Sequence, residues 1–168
     1  MKTLLLPFCA LLTILPAVNV PAAPPDETAF LGPAKAPIST AVSVPADRAL
    51  FMTSGTVARV IADDKTLADA PNSFGDTRTQ AISALREIES RLKEAGLTFK
   101  DVVYLRAYLT ADKNKGGQFD YAGWFEAYGQ FFNTADNPIK PARSTVGVAS
   151  LVNPDWLIEI EAVAVYPR

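Results

Sequence analysis

Two carboxylates, Glu159 and Glu161, interrupt an otherwise apolar stretch near the end of this 168-residue chain. Residues two apart on a strand project in parallel. The pair therefore cannot flank a bond from opposite sides as a glycosidase pair does. It can sit in a cleft as polar groups, or form surface or rim ion pairs. The chain has no His and one Cys, Cys9. That excludes a Ser-His-Asp triad, a His general base and a His-ligated metal. Cys9 lies in an apolar N-terminal run read below as an export signal. Its removal would leave no thiol for disulfides, nucleophilic catalysis or metal binding.

Other chemistry-bearing clusters are weaker. Asp112-Lys113-Asn114-Lys115-Gly116-Gly117 begins somewhat like a calcium loop. Gly116 occupies a ligand position, however, and Gly123 stands where a bidentate Glu is needed. It reads as a polar turn. Asp63-Asp64 has no visible third ligand, so no metal site is expected. Ser54-Gly55 lacks the Gly-x-Ser frame of a nucleophile elbow. The net charge of −2, with scattered basic residues, gives no support to nucleic-acid binding.

Residues 1–22 read as a secretory signal: Lys2, then an apolar run from Leu4 to Val18, then Val20-Pro21-Ala22 with small residues at the −3 and −1 positions. The run is short and broken by Pro7 and Pro16, which does not suit a transmembrane helix. A retained anchor is the alternative. Cleavage after Ala22 leaves 15 basic against 18 acidic residues, a net charge of −3. The mature protein is expected to be secreted or periplasmic, with no membrane attachment. A thiol-free chain suits that oxidising setting. Residues 23–37 are rich in Pro and Ala and read as an extended leader. Residues 38–168 make one domain, as the length predicts.

The elements that must position the carboxylates follow from periodicity. Strands are expected at residues 39–44 and 49–53, around a Pro45-Ala46-Asp47 turn, and at 57–61. Ala81, Leu85, Ile88, Leu92 and Ala95 mark one face of a helix over 76–95, with Asp76 as N-cap and Gly96 as its end. A strand over 102–109, a polar loop over 110–118 and an aromatic-rich second helix over 119–132 follow. The spacing of Tyr121, Trp124, Tyr128 and Phe131 reads as core rather than a stacking platform. The last strands cover 144–151 and 157–166. Helices that each connect strands imply an α/β (α+β) mixed sheet with both helices on one face. In the final strand, Ile158, Ile160, Ala162 and Ala164 should meet the helices. The other face holds Leu157, Glu159, Glu161, Val163 and Val165. That face is mainly apolar with no helix left to cover it, which points to oligomerisation.

Pro141-Ala142-Arg143-Ser144, set before a hairpin ending Ile158-Glu159-Ile160-Glu161-Ala162-Val163-Ala164, resembles the RidA (YjgF) family of enamine/imine deaminases. Ser54-Gly55, Gln80, Ala84-Leu85, Ala95-Gly96-Leu97, Asp101-Val102-Val103, Tyr128, Phe131 and Phe132 extend the likeness, which covers about residues 36–168. The resemblance implies a chorismate-mutase-like fold assembled as a homotrimer with a barrel-like centre. It also implies a small-molecule cleft at each subunit interface. The implied reaction is hydrolysis of 2-aminoacrylate and related imines to 2-keto acids and ammonia, without a cofactor. Arg143 falls on the family's substrate-binding arginine, Glu159 on its cleft glutamate and Gly55 on a cleft-lining glycine. A structural ion pair from Arg143 to Glu159 or Glu161 is the alternative role. Three further cleft positions depart from the pattern: Ile38 replaces a tyrosine, Phe125 an asparagine and Thr145 a cysteine. The same fold could instead serve a non-catalytic protein that binds small carboxylates or acts as a chaperone.

Overall fold

A computed structural model describes residues 26–60 and 74–168. The signal, Cys9 and Asp63-Asp64 lie outside these residues. Among the described residues nine strands and two α-helices occur in the order β1 (Ala29–Leu31), β2 (Ala41–Ser43), β3 (Leu50–Met52), β4 (Thr56–Val57), α1 (Thr77–Glu94), β5 (Val102–Leu109), β6 (Ala111–Asp112), β7 (Gln118–Phe119), α2 (Tyr121–Tyr128), β8 (Ala142–Gly147), β9 (Ile158–Val165). The main sheet runs β3-β9-β5-β8, and β4 also pairs with β9. Within this sheet the β5–β8 pair is parallel, and β9 runs antiparallel to β3, β4 and β5. The sheet is therefore mixed, as expected.

The two faces of β9 separate as its alternation requires. Ile158, Ile160, Ala162 and Ala164 are fully buried or nearly so. They pack with Leu105, Ala107 and Leu109 of β5 under both helices. Helix α1 contributes Ala81, Leu85, Ile88 and Leu92, all with no exposed surface. Its outer face carries the pairs Arg86–Glu89 at 2.9 Å and Arg91–Glu87 at 3.2 Å. The Asp76 carboxylate accepts from the Thr79 N–H at 2.8 Å, which caps the start. Gly96, with φ 73°, takes the left-handed turn that ends it. Gln80 is buried on α1 and fully engaged. Its Nε2 donates to the carbonyls of Gly75 and Asp155, each at 3.0 Å, and its Oε1 accepts from the Leu157 N–H at 2.8 Å. This side chain ties the start of α1 to the turn that launches β9.

Several boundaries differ from the periodicity reading. Residues 39–44 and 49–53 do not form a hairpin: β2 pairs with β1 and β3 pairs with β9. Strand β1 lies within the expected leader and pairs with β2. The loop over 110–118 contains the short β6–β7 ladder and a 3-10 turn at Lys113–Lys115, where the Asp112 carboxylate accepts from the Asn114 N–H at 2.8 Å. The second helix starts at Tyr121 because Asp120 caps it through the Gly123 N–H at 3.0 Å. It stops at Tyr128. Phe131 and Phe132 reach the core from the following turn and pack edge-on against Phe99, with ring centroids at 5.4 and 5.0 Å. Strand β8 ends at Gly147, where a Cβ would come within 2.8 Å of the Phe119 ring.

Candidate active site

Register places the site residues on two different faces. Arg143 and Thr145 of β8 pair with Leu105 and Ala107 of β5, which are core residues. Paired residues share a face, so both side chains project toward α2. Glu159 pairs with Tyr108 of β5 and Val57 of β4, on the uncovered face. Arg143 and Glu159 thus do not meet within one chain.

Arg143 lies among three aromatic rings. Its guanidinium carbon is 4.4 Å from the Tyr128 centroid, 4.7 Å from Phe125 and 5.4 Å from Trp124. Helix geometry explains the set, because positions 124, 125 and 128 crowd one side of α2. The rings attract the cation electrostatically, but they accept no conventional hydrogen bond along the guanidinium plane. Nη1 of Arg143 is buried without a hydrogen-bond partner. Among the described residues Arg143 makes no ion pair. Glu161, one of the two alternatives, is bound instead by Arg106 Nη1 at 2.9 Å and by the Tyr108 hydroxyl at 3.3 Å. Burial lowers the Arg143 pKa from its ordinary value, with Tyr128 acting in the opposite sense. Burial also pushes the Tyr128 phenol up to about 12, so it stays neutral and donates to the Pro37 carbonyl at 3.2 Å.

The three positions that depart from the resembled pattern, Thr145, Phe125 and Ile38, take definite places. Thr145, where the resemblance expects a thiol, accepts from the Trp124 indole N–H at 3.1 Å. Phe125 is 47% exposed and forms the open wall beside Arg143. It continues through Tyr121, at 6.5 Å between centroids, to Phe119, at 6.0 Å from Tyr121. Tyr121 therefore lies outside the core in which its spacing had placed it, whereas Trp124, Tyr128 and Phe131 belong to it. Ile38 packs against the core. Its segment runs beside the start of β8 through the Ser39–Ala142 bridge. Lys115 donates to Asp120 at 2.6 Å, so the long loop braces the cap of α2.

Glu159 and Gly55 form the second half. A Cβ on Gly55 would collide with the Glu159 carboxylate. Glycine here thus lets the carboxylate lie against the backbone just before β4. Among the described residues Glu159 has neither a hydrogen bond nor an ion pair. Around it the open face carries Tyr104, Arg106 and Tyr108 from β5 and Glu161 and Val163 from β9. Trp124 and Tyr128 as flanks of Arg143, and Arg106 as partner of Glu161, were not among the candidates read from sequence. The signals were present: an aromatic triple on a helix, and Tyr-x-Arg-x-Tyr alternating along β5.

The family profile described as Endoribonuclease L-PSP matches residues 31–166. A RutC family protein of Pyrococcus horikoshii is 38% identical over 90 residues, which cover 54% of this chain and 63% of that protein. A RutC family protein of Haemophilus influenzae is 37% identical over 90 residues, covering 54% of this chain and 64% of that one. The aligned stretch thus spans less than two thirds of these relatives. Among solved structures, YyfB of Yersinia pestis, described as a protein of unknown function of the conserved Rid family, superposes with a TM-score of 0.60 at 26% identity. That match covers 82% of this chain and 98% of that one. Escherichia coli TdcF with bound serine gives 0.54 at 28%, covering 83% and 99%. The Escherichia coli YjgF gene product gives 0.53 at 28%, also covering 83% and 99%. With the profile spanning the domain from β1 to the end of β9 and these neighbours sharing its mixed sheet, the chain belongs to the YjgF/Rid family.

Proposed function

We propose that this protein hydrolyses reactive imines and enamines of the 2-aminoacrylate type to 2-keto acids and ammonia, in a site shared by two copies of the chain. The observation that carries the reading is Arg143, a guanidinium shielded by three rings and left with a buried, unpartnered Nη1. A planar carboxylate can accept two charge-assisted hydrogen bonds from such a fork. The rings exclude water and so strengthen that attraction. The serine bound by TdcF also carries a carboxylate.

An enamine first takes a proton at its terminal carbon to become the imine. Water then adds to the imine carbon while the nitrogen gains a proton, which gives a carbinolamine. The C–N bond breaks, the carbonyl forms and ammonia leaves. The sum is imine plus water to keto acid plus ammonia, with no change of oxidation state. Glu159 is suited to orient the water or accept its proton. With the carboxylate fixed by Arg143, attack is mainly a matter of orientation.

Because Arg143 and Glu159 occupy opposite sheet faces, the second group must come from a neighbouring copy. A cyclic homotrimer, with open sheet faces lining a barrel-like centre, satisfies this at every interface. Met52 and Leu50 on the β3 edge, 69% and 53% exposed, are apolar surface such an assembly would cover. Export by way of residues 1–22 places the reaction outside the cytoplasm. The ribonuclease label of the family profile gains no support from a net charge of −2.

The test generates imines in situ with an amino-acid oxidase and traps what remains with semicarbazide. Wild type should lower the trapped amount, and Arg143→Ala should not. Equal trapping in both would refute hydrolysis of those substrates. Thr145 is already committed to Trp124, which suits a binding role without turnover. Carboxylates that raise the melting temperature through Arg143, with no turnover, would replace hydrolysis by that reading.

A further inference from the structure

A second arginine with a buried, unpartnered N–H lies far from Arg143 along the chain and outside the proposed deaminase site. Arg48 follows the Pro45-Ala46-Asp47 turn, with its N–H bonded to the Pro45 carbonyl at 3.3 Å. Its side chain is only 10% exposed, and its Nε is buried with no hydrogen-bond partner. Arg48 forms an ion pair with the neighbouring Asp47 carboxylate at 3.6 Å, which is too long for a hydrogen bond. Asp47 is itself exposed and accepts from Arg168 Nη2 at 3.1 Å. A buried guanidinium N–H without a hydrogen-bond partner is costly, and an anion would relieve that cost.

Arg48 lines a cavity of about 280 Å³ at the edge of the sheet where β3 begins and β9 ends. Lys100 and Arg168 also line it. Lys100 makes no ion pair among the described residues. Two acidic groups reach the same cavity. Asp101 is occupied, since its Oδ2 accepts from the Thr98 N–H at 2.7 Å and the Thr98 hydroxyl at 2.9 Å. Glu27 has no ion pair among the described residues. The remaining wall includes Phe30, Val165 and Tyr166. Cationic groups beside an apolar wall fit a molecule with one acidic end and an apolar body.

We propose that this cavity binds a small organic monocarboxylate, with Arg48 and Lys100 holding the carboxylate and the Phe30–Val165 side holding its body. The site is separate from Arg143, so its occupancy does not depend on the deaminase reading.

Benzoate is a suitable probe, titrated by calorimetry into the purified full chain at constant ionic strength, with inorganic phosphate and acetate as comparisons. Benzoate should bind and raise the melting temperature. In an Arg143→Ala background, which silences carboxylate binding beside α2, benzoate should still bind, and Arg48→Met should weaken that binding at least tenfold. Glu27→Gln should tighten it severalfold, since a competing carboxylate is removed. If Arg48→Met does not fold, Arg48→Lys supplies the comparison, with reduced but measurable binding. No binding by wild type, binding lost with Arg143 rather than Arg48, or phosphate bound better than benzoate would overturn the proposal. So would a loss of folding on Glu27→Gln without tighter binding, which would make Glu27 the internal partner of Arg48.

Discussion

Replacing Arg143 with Met separates what this residue does for the fold from what it does for chemistry. Met preserves much of the length and apolar stem while removing the charge. On the stability side, three ring contacts at 4.4, 4.7 and 5.4 Å are lost. Such contacts contribute about 0.5–1 kcal/mol each at partly exposed sites. Against that, a buried N–H without a partner is removed, which relieves about 1–3 kcal/mol. Met also restores sulfur–aromatic contacts of about 0.3–1.5 kcal/mol each. The gains match or exceed the losses, so urea denaturation should show a variant about as stable as wild type or more stable. On the chemical side, two charge-assisted hydrogen bonds to the substrate carboxylate are worth about 1.5–3 kcal/mol each. Their loss corresponds to roughly 100-fold to 10,000-fold in kcat/KM. The assay pairs urea titration with semicarbazide-trapping kinetics on the same preparation. Destabilisation above about 3 kcal/mol with kcat/KM unchanged would refute the reasoning, since Arg143 would then be a structural residue.

Other variants probe the remaining parts. Phe125→Asn should lower the ratio of kcat/KM for the imine of phenylalanine to that for the imine of serine by about tenfold, because the open ring beside Arg143 supplies an apolar contact of about 1–1.5 kcal/mol. An unchanged ratio in trapping kinetics would remove Phe125 from the substrate wall. Gly55→Ala should reduce kcat by at least tenfold while changing the unfolding free energy by less than about 1 kcal/mol, since the added methyl displaces the flexible Glu159 carboxylate rather than the core. Gln80→Leu should cost about 1–3 kcal/mol in urea denaturation, because three backbone groups, one of them fully buried, lose their partner. Wild-type stability in that variant would mean the backbone finds other partners.

Much of this fold is legible in the sequence where one period dominates. The alternation of β9 fixed which side chains meet the helices, and α1 is marked by its apolar spacing, its Asp76 cap and Gly96. Strand β5 matches its expected span of residues 102–109. The second helix was overextended because aromatic spacing continues past Tyr128 into residues that pack from a turn. Strands β1, β6 and β7 are two or three residues long, and their pairing depends on tertiary neighbours rather than on a local pattern. The separation of Arg143 from Glu159 was hidden for a related reason. It depends on the register between β8 and β5, and a parallel register between distant segments leaves no mark in either one. The uncovered face of β9, by contrast, followed from counting residues, and it already pointed to a second copy of the chain.

The central claim, that Arg143 of one copy and Glu159 of another act on one substrate, is tested most directly by mixing two inactive subunits. Arg143→Ala and Glu159→Gln chains, co-expressed in equal amounts and purified as one assembly, should regain about a quarter of wild-type activity. In a randomly mixed cyclic assembly, about one interface in four joins an intact Arg143 to an intact Glu159. Mixed assemblies as inactive as either parent would contradict a site shared between copies.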